Sequence, residues 1–189
     1  MELQRGKVKI VLIGDFHIPE RAEKIPNWIV NTIKDEKVDL ILCTGDLTDN
    51  SVITKLKSFA PIFCVRGNMD YINLPEREIV KVGNFRILLL HGSGVYPRGN
   101  LEQLDKIRKE HEADIVVHGH THRMSFDILD NGKAIFLNPG TATGVWGGSS
   151  ESTSQTFILM SIDGNNVHIK FFENEKMRKE VSLCIQKKQ

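Results

Sequence analysis

The stretch Val8-Lys9-Ile10-Val11-Leu12-Ile13-Gly14-Asp15-Phe16-His17 sets the architecture. An apolar run with one lysine ends in Gly-Asp, as expected of a strand buried on both faces and stopped by a sharp turn. Near Lys24 to Asp35, the residues Ile25, Ile29 and Ile33 recur on one helical face, and Pro26 suits a first turn. Leu40-Ile41-Leu42-Cys43 reads as a second buried strand, ahead of Thr44-Gly45-Asp46. Asn50 or Ser51 can cap a short helix through Phe59, which Pro61 stops. Ile62 to Val65 is a third strand, leading into Arg66-Gly67-Asn68-Met69-Asp70. The order βαβαβ calls for a parallel sheet with helical crossovers.

Downstream the pattern changes. Ile79 to Val82 and Phe85 to Leu90 flank the hairpin turn Gly83-Asn84. Asn100, followed three residues later by Gln103, opens a helix to about Glu112. Ile115-Val116-Val117 runs directly into His118-Gly119-His120-Thr121-His122. Turns at Asp130-Asn131-Gly132 and Asp163-Gly164-Asn165-Asn166 separate β-rich segments, and the Lys/Glu-rich end, Glu173 to Lys188, reads as a solvated edge strand. No repeat or linker divides the chain, and the Gly/Ser-rich stretch from Gly144 to Ser154 is too short to join two domains. A single mixed α/β domain over residues 1–189 is expected, parallel early and hairpin-rich late.

The chain is 40% apolar, enough for a continuous core. Its 25 basic and 24 acidic side chains leave a net charge of +1, which removes any general attraction to nucleic acid or acidic lipid. No apolar run nears the ~20 residues needed to cross a bilayer. Met1 to Gly6 has no apolar signal core. Cys43, Cys64 and Cys184 are scattered and form no disulfide framework. The composition points to a soluble, reduced, cytoplasmic protein.

Five apolar runs end in side chains able to hold a metal or a phosphate: Asp15 with His17, Asp46, Asn68, His91, and His120 with His122. In open α/β sheets ligands gather beyond the carboxyl ends of the strands. Neighbouring glycines let the backbone turn and approach a ligand closely. Carboxylate, amide and imidazole without thiolate suit a catalytic centre for Mn, Fe, Zn, Ni or Co, not a structural zinc site.

In this order, Gly14-Asp15-Phe16-His17, Gly45-Asp46, Gly67-Asn68-Met69-Asp70, His91-Gly92 and Gly119-His120-Thr121-His122 resemble the calcineurin-like metallophosphoesterases, and Asn138-Pro139-Gly140-Thr141 extends the likeness. His17-Ile18-Pro19 and Phe157 to Ser161 are similar to the branch of YfcE-like phosphodiesterases and the retromer scaffold subunit. The resemblance implies an α/β fold, a four-layer αββα sandwich of two mixed sheets flanked by helices. It also implies two divalent transition metal ions, Mn first, with Ni, Fe, Zn or Co as alternatives. Asp15, His17 and His122 would hold one, Asn68, His91 and His120 the other, and Asp46 would bridge them. Metals ~3.5–4 Å apart bind phosphate oxygens and acidify a shared water. In-line attack by a bridging hydroxide then needs no covalent enzyme intermediate, and Asp46, Asn68 and His91 serve catalysis by positioning metal and phosphate. Many metallophosphoesterases carry a histidine where this chain has Met69. The YfcE-like branch lacks it and acts on diesters, so a phosphodiesterase is the enzyme implied.

Plainer readings stand beside these. Asp15, Asp46 and Asn68 could be turn residues and His91 a satisfied core histidine; their recurrence at strand ends favours ligands. His118 is expected to be buried near the cluster without joining it. Arg66 either contacts phosphate, as a substrate-binding residue, or forms a structural ion pair. His111 and His168 read as structural or solvated, and Trp28 and Met124 as packing. Trp146 has three candidate roles: the site rim, a subunit contact or a buried anchor. The expected partner is a small phosphoester substrate, with no membrane and no nucleic acid, and a homo-oligomer is left open. The rival reading is a protein-interaction scaffold on the same fold, as in the retromer subunit. That subunit departs from the family's pattern at metal positions, all seven of which carry family-type donors here.

Overall fold

Strand β1 (Val8–Ile13) is buried along its length except at Lys9. It pairs in parallel with β2 (Leu40–Cys43), and β2 pairs in parallel with β3 (Ile62–Cys64). These coordinates are a computed structural model that describes residues 6–148 and 153–185. The signal-core reading of residues 1–5, the serines at 149, 150 and 152 in the Gly/Ser stretch, and the edge-strand reading of residues 186–188 lie outside the described residues.

The two crossovers are helical, as the periodicity requires. In α1 (Asn27–Glu36), Ile29 and Ile33 are buried against Val11, Ile13 and Ile41 on the outer face of the sheet. Pro26 sits at the N-cap of α1, just outside the first turn. In α2 (Asn50–Lys57) the cap is Asp49, not Asn50 or Ser51: its carboxylate accepts from Ser51 N at 2.8 Å. A carboxylate serves this end better than an amide or hydroxyl, because it also meets the positive end of the helix dipole.

The second half opens with the hairpin of β4 (Arg77–Val82) and β5 (Phe85–Leu90). Next, α3 (Leu101–Glu110) carries the chain to β6 (Ile115–Val117), parallel to β5. Asn100 caps α3 by accepting from Gln103 N at 2.9 Å. The Gln103 side chain turns to the Tyr96 backbone, so only half of the expected reciprocal cap forms. The hairpin of β7 (Met124–Leu129) and β8 (Ala134–Pro139) follows, and then β9 (Thr156–Asp163), β10 (Asn166–Glu173) and β11 (Lys176–Cys184) form a meander.

The described strands make two mixed sheets, ordered β11-β10-β9-β1-β2-β3 and β4-β5-β6-β8-β7. Their inner faces share one core, where Leu12, Leu42 and Met160 of the first sheet join Phe85, Leu89 and Val117 of the second. Helices α1 and α2 cover the outer face of the first sheet, and α3 places Leu104 on Leu88, Val116 and Phe136 of the second. The layers therefore run α, β, β, α. β11 closes one edge with mostly exposed, charged residues, which keeps that edge from pairing further. No described helix is long and apolar enough to cross a membrane.

Leu42 is fully buried between the sheets. Leu42→Ala should therefore lower the unfolding free energy by about 2–5 kcal/mol. Asn100→Ala, which removes only a cap, should cost about 1 kcal/mol. Urea titrations of the two variants test this ranking.

Candidate metal centre

The turns beyond β1, β2, β3, β5 and β6 carry all seven donors read from the sequence. To bring them inward the backbone enters the left-handed region at Asp15 (φ 49°), His17 (49°), Asp46 (52°), His120 (70°) and His122 (57°). L-residues seldom adopt this conformation, and it persists only where surrounding bonds over-determine it. Here Asp15 N donates to Gly45 O, and Phe16 N and His17 N both donate to Asp46 O, each at 2.9 Å. Glycine is forced by contact at Gly67, where a Cβ would sit 2.0 Å from Asp46 Oδ1.

The donors form two groups that meet at Asp46. In the first, the ligating atoms of Asp15, His17, Asp46 and His122 lie within 4.8 Å of one another. His17 Nε2 is 3.1 Å from His122 Nε2 and 3.4 Å from Asp46 Oδ2, and His122 Nε2 is 3.3 Å from Asp15 Oδ1. In the second, His91 Nε2 is 3.5 Å from the same Asp46 Oδ2 and 3.1 Å from Asn68 Oδ1. The His120 ring stands edge-on to His91 with centroids 5.0 Å apart. Asp46 Oδ1 is occupied, accepting from Met69 N at 2.8 Å.

Hydrogen bonds orient the imidazoles. His91 Nδ1 lies 2.8 Å from the Thr44 carbonyl oxygen, and His122 Nδ1 2.8 Å from that of Val145. A carbonyl has no proton to give, so each Nδ1 is the donor and each Nε2 faces the carboxylates. Burial, reinforced by His122, holds His17 down to about 4. Burial, with His91 and Arg98 nearby, does the same to His120, also to about 4. Burial opposes charge on Asp15, yet the surrounding histidines prevail and its carboxyl is lowered. Burial raises Asp46. His122 moves up in spite of burial because Asp15 stabilises its proton.

The chemistry of the set fits divalent cations. Asp15 Oδ1, which faces the cluster, is buried without a hydrogen-bond partner, an expensive arrangement unless another group satisfies it. Two imidazole nitrogens face each other at 3.1 Å beside two carboxylates, in a site without a thiol. Nitrogen and carboxylate donors converging in this way suit Mn, Fe, Zn, Ni or Co.

The other sequence readings divide. His118 is buried beside the cluster, with its Nδ1 accepting from Asn138 Nδ2 at 3.2 Å, and burial takes it down to about 4. Arg66 forms the ion pair, to Glu76 at 2.6 Å, while also lining a 520 Å³ cavity beside Asn68 and His91. Trp28 packs on Phe157 with its Nε1 donating to Gln155. Trp146 is 62% exposed, which removes the buried-anchor reading. Its neighbour Gly147 lies so close to the His122 ring that a Cβ would fall 2.5 Å from Cγ. Arg21 and Arg98 hold this loop through the carbonyls of Trp146 and Gly147.

Asp70 is the supporting residue that the sequence did not disclose. Its buried carboxylate accepts from Asp46 N and Gly67 N at 2.8 Å, Leu47 N at 2.7 Å and Thr48 N at 2.9 Å. An aspartate after Gly-Asn is ordinary turn chemistry; only its position three residues after Gly67 hinted at more. The Asn138–Thr141 segment also braces the site, Asn138 Nδ2 donating to Gly119 O at 3.1 Å and Thr141 Oγ1 to Asp15 O at 2.7 Å.

Two mixed sheets between helices, with carboxylates and imidazoles converging at the strand ends, define the class of metallophosphoesterases. The chain belongs to the calcineurin-like phosphoesterase superfamily, whose domain matches residues 8–165. A Methanothermobacter thermautotrophicus protein named "Probable metallophosphoesterase" is 37% identical over 161 residues, covering 84% of this chain and 88% of its own. Among solved structures, Vacuolar Protein Sorting 29 from Cryptosporidium parvum is 29% identical with a TM-score of 0.89, covering 95% of this chain and 100% of that one. Vps29 from Entamoeba histolytica complexed with zinc is 31% identical with a TM-score of 0.85, covering 93% of this chain and 99% of that one.

His17, His118 and His120 lie at about 4 in the folded protein, against an ordinary value of 6.5. Between these values the unfolded chain binds more protons at these three sites, so their contribution is full above pH 6.5 and falls as pH drops toward 4. It outweighs the single raised histidine, His122, which acts in the opposite sense. Urea midpoints of the metal-free protein across this range check the expectation; a flat profile would contradict it.

Proposed function

We propose that this protein is a binuclear metal-dependent phosphodiesterase acting on a small phosphoester substrate, within a single cytoplasmic domain over residues 1–189. One observation carries the reading: Asp46 Oδ2 stands 3.4 Å from His17 Nε2 and 3.5 Å from His91 Nε2, between the two donor groups. Asp15, His17 and His122 would hold one cation and Asn68, His91 and His120 the other, with Asp46 common to both. Mn is the first candidate, ahead of Ni, Fe, Zn or Co. When bound, such a pair acidifies water and neutralises charge on phosphoryl oxygens. Thr44 O and Val145 O keep the His91 and His122 rings in register for this task. Asp70 holds the Asp46 turn through backbone amides and, with its oxygens so engaged, is poorly placed to act as a general acid.

Met69 supports the choice of diester. Its backbone N–H fixes Asp46, while its thioether offers no proton to a leaving group and no charge to a phosphate. General acid catalysis contributes about 10²–10⁴-fold, so its absence weighs most on basic leaving groups. An activated diester needs less help and carries only one negative charge.

The scaffold reading draws on the likeness to Vps29, at a TM-score of 0.89. Fold likeness alone does not decide activity, and the converged donors favour the enzyme. With Mn²⁺ saturating, kcat/KM for bis-nitrophenyl phosphate should clearly exceed that for nitrophenyl phosphate; faster turnover of the monoester would show that Met69 does not set the preference. Asp46→Asn should lose most turnover and bound metal, by elemental analysis, while remaining folded by circular dichroism. Undiminished hydrolysis in that variant would sink the two-metal assignment.

A further inference from the structure

The 520 Å³ cavity opens directly onto two of the donors, Asn68 and His91, and falls within the size range of small-molecule sites. Leu90, Val95 and Ile107 give it apolar lining, and Arg66 and Arg77 line it as well. The two guanidinium groups differ in their state. Arg66 is paired with Glu76, whereas the exposed Arg77 side chain has no ion pair or hydrogen bond among the described residues. Asp70 also borders the cavity; its oxygens accept from backbone amides, and no ion pair joins it to Arg77 among the described residues. Gly92-Ser93-Gly94 also lines the cavity. A Cβ on Gly94 would meet nothing within 4 Å, and its φ does not require glycine, so neither packing nor torsion explains the residue. Ser93 adds a hydroxyl, both donor and acceptor, to the cavity lining.

We infer that this cavity receives the substituent of the substrate diester and that Arg77, assisted by Arg66, binds a second phosphate carried on it. The inference rests on the phosphodiesterase reading and deepens it: the preferred substrates are phosphodiesters with a phosphorylated arm, in the manner of a nucleoside bisphosphate ester. A tetrahedral phosphate offers enough oxygens for two guanidinium forks and a hydroxyl at once, which a carboxylate does not. The apolar lining residues suit the sugar or carbon chain between the two phosphates. Arg77 acts on specificity and makes no contact with the reacting bond. That bond is exchanged in the ordinary hydrolytic way: water supplies the new P–O bond, the P–O bond to the leaving oxygen breaks, and the proton of water goes to that oxygen or to solvent.

The test uses the Mn²⁺-loaded protein with two probes, the nitrophenyl ester of thymidine 5′-phosphate and the same ester bearing a 3′-phosphate. The 3′-phosphorylated probe should have the higher kcat/KM. In Arg77→Gln the ratio of the two values should fall about tenfold, the worth of one charge-assisted contact, and Arg77→Lys should restore part of it. Arg77 stands at the exposed start of β4, an edge strand, so neither variant disturbs the core. A second readout needs no metal: calorimetry on the metal-free protein should show tighter binding of thymidine 3′-phosphate than of thymidine, with the difference lost in Arg77→Gln. Equal kcat/KM for the two probes, or an Arg77→Gln variant that lowers both equally, would overturn the inference and leave the phosphodiesterase reading standing. If neither probe is hydrolysed, the phosphodiesterase reading falls. Calorimetry then decides for the cavity: an Arg77-dependent preference for thymidine 3′-phosphate upholds its phosphate site, and no preference removes it.

Discussion

The carboxylate of Asp70 is the constraint on which the centre depends. Four backbone amides, from Asp46, Leu47, Thr48 and Gly67, point at its two oxygens. The bonds tie the turn after β2 to the turn after β3, so the placement of Asp46 and that of Asn68 are one event. Without the carboxylate these buried donors would be left unpaired, at about 1–3 kcal/mol each. That stabilisation balances the left-handed backbone at Asp46 and Thr48 and permits a bare Gly67 to lie against Asp46 Oδ1.

Much of the fold was legible because parallel strands buried on both faces appear as continuous apolar runs. The segments Val8–Ile13, Leu40–Cys43 and Ile115–Val117 coincide with the observed strands for that reason. The caps were less legible. Asp49, Asn50 and Ser51 are all competent capping residues, and the choice among them rests on backbone torsion, with Asp49 the extended one at ψ 145°. The strand orders are hidden for another reason. β9 lies beside β1 although some 140 residues separate them in sequence, and such register comes from shared burial, which no local pattern records.

The candidate centre was legible in its donors and illegible in its supports. Seven side chains at strand ends carry their chemistry in their identity. The acceptors that orient them are the carbonyls of Thr44 and Val145, which any residue would supply. Arg21 and Arg98 likewise read as surface cations until they are seen gripping the loop that covers His122. The same layered fold serves Vps29, so the layers by themselves do not separate an enzyme from a scaffold. Beyond the layers, the polar side chains of Asp15, His17, Asp46 and His122 converge at the strand ends of this chain.

The origin of the donors has a mechanical consequence. Asp15, His17, Asp46 and Asn68 follow strands of the six-stranded sheet, while His91, His120 and His122 follow strands of the five-stranded one. The interior of the sandwich is held by apolar contact, which resists separation without fixing direction. At the end opposite the donors, Asn84 Nδ2 donates to Asn165 Oδ1 at 3.3 Å, whereas at the donors' own margin the layers also meet through a cluster of directional polar groups. A cation seated there would be a clasp across the seam, joining chain segments more than a hundred residues apart and lending its own binding energy to the closed form. The sandwich then resembles a book with its heaviest fastening along one margin.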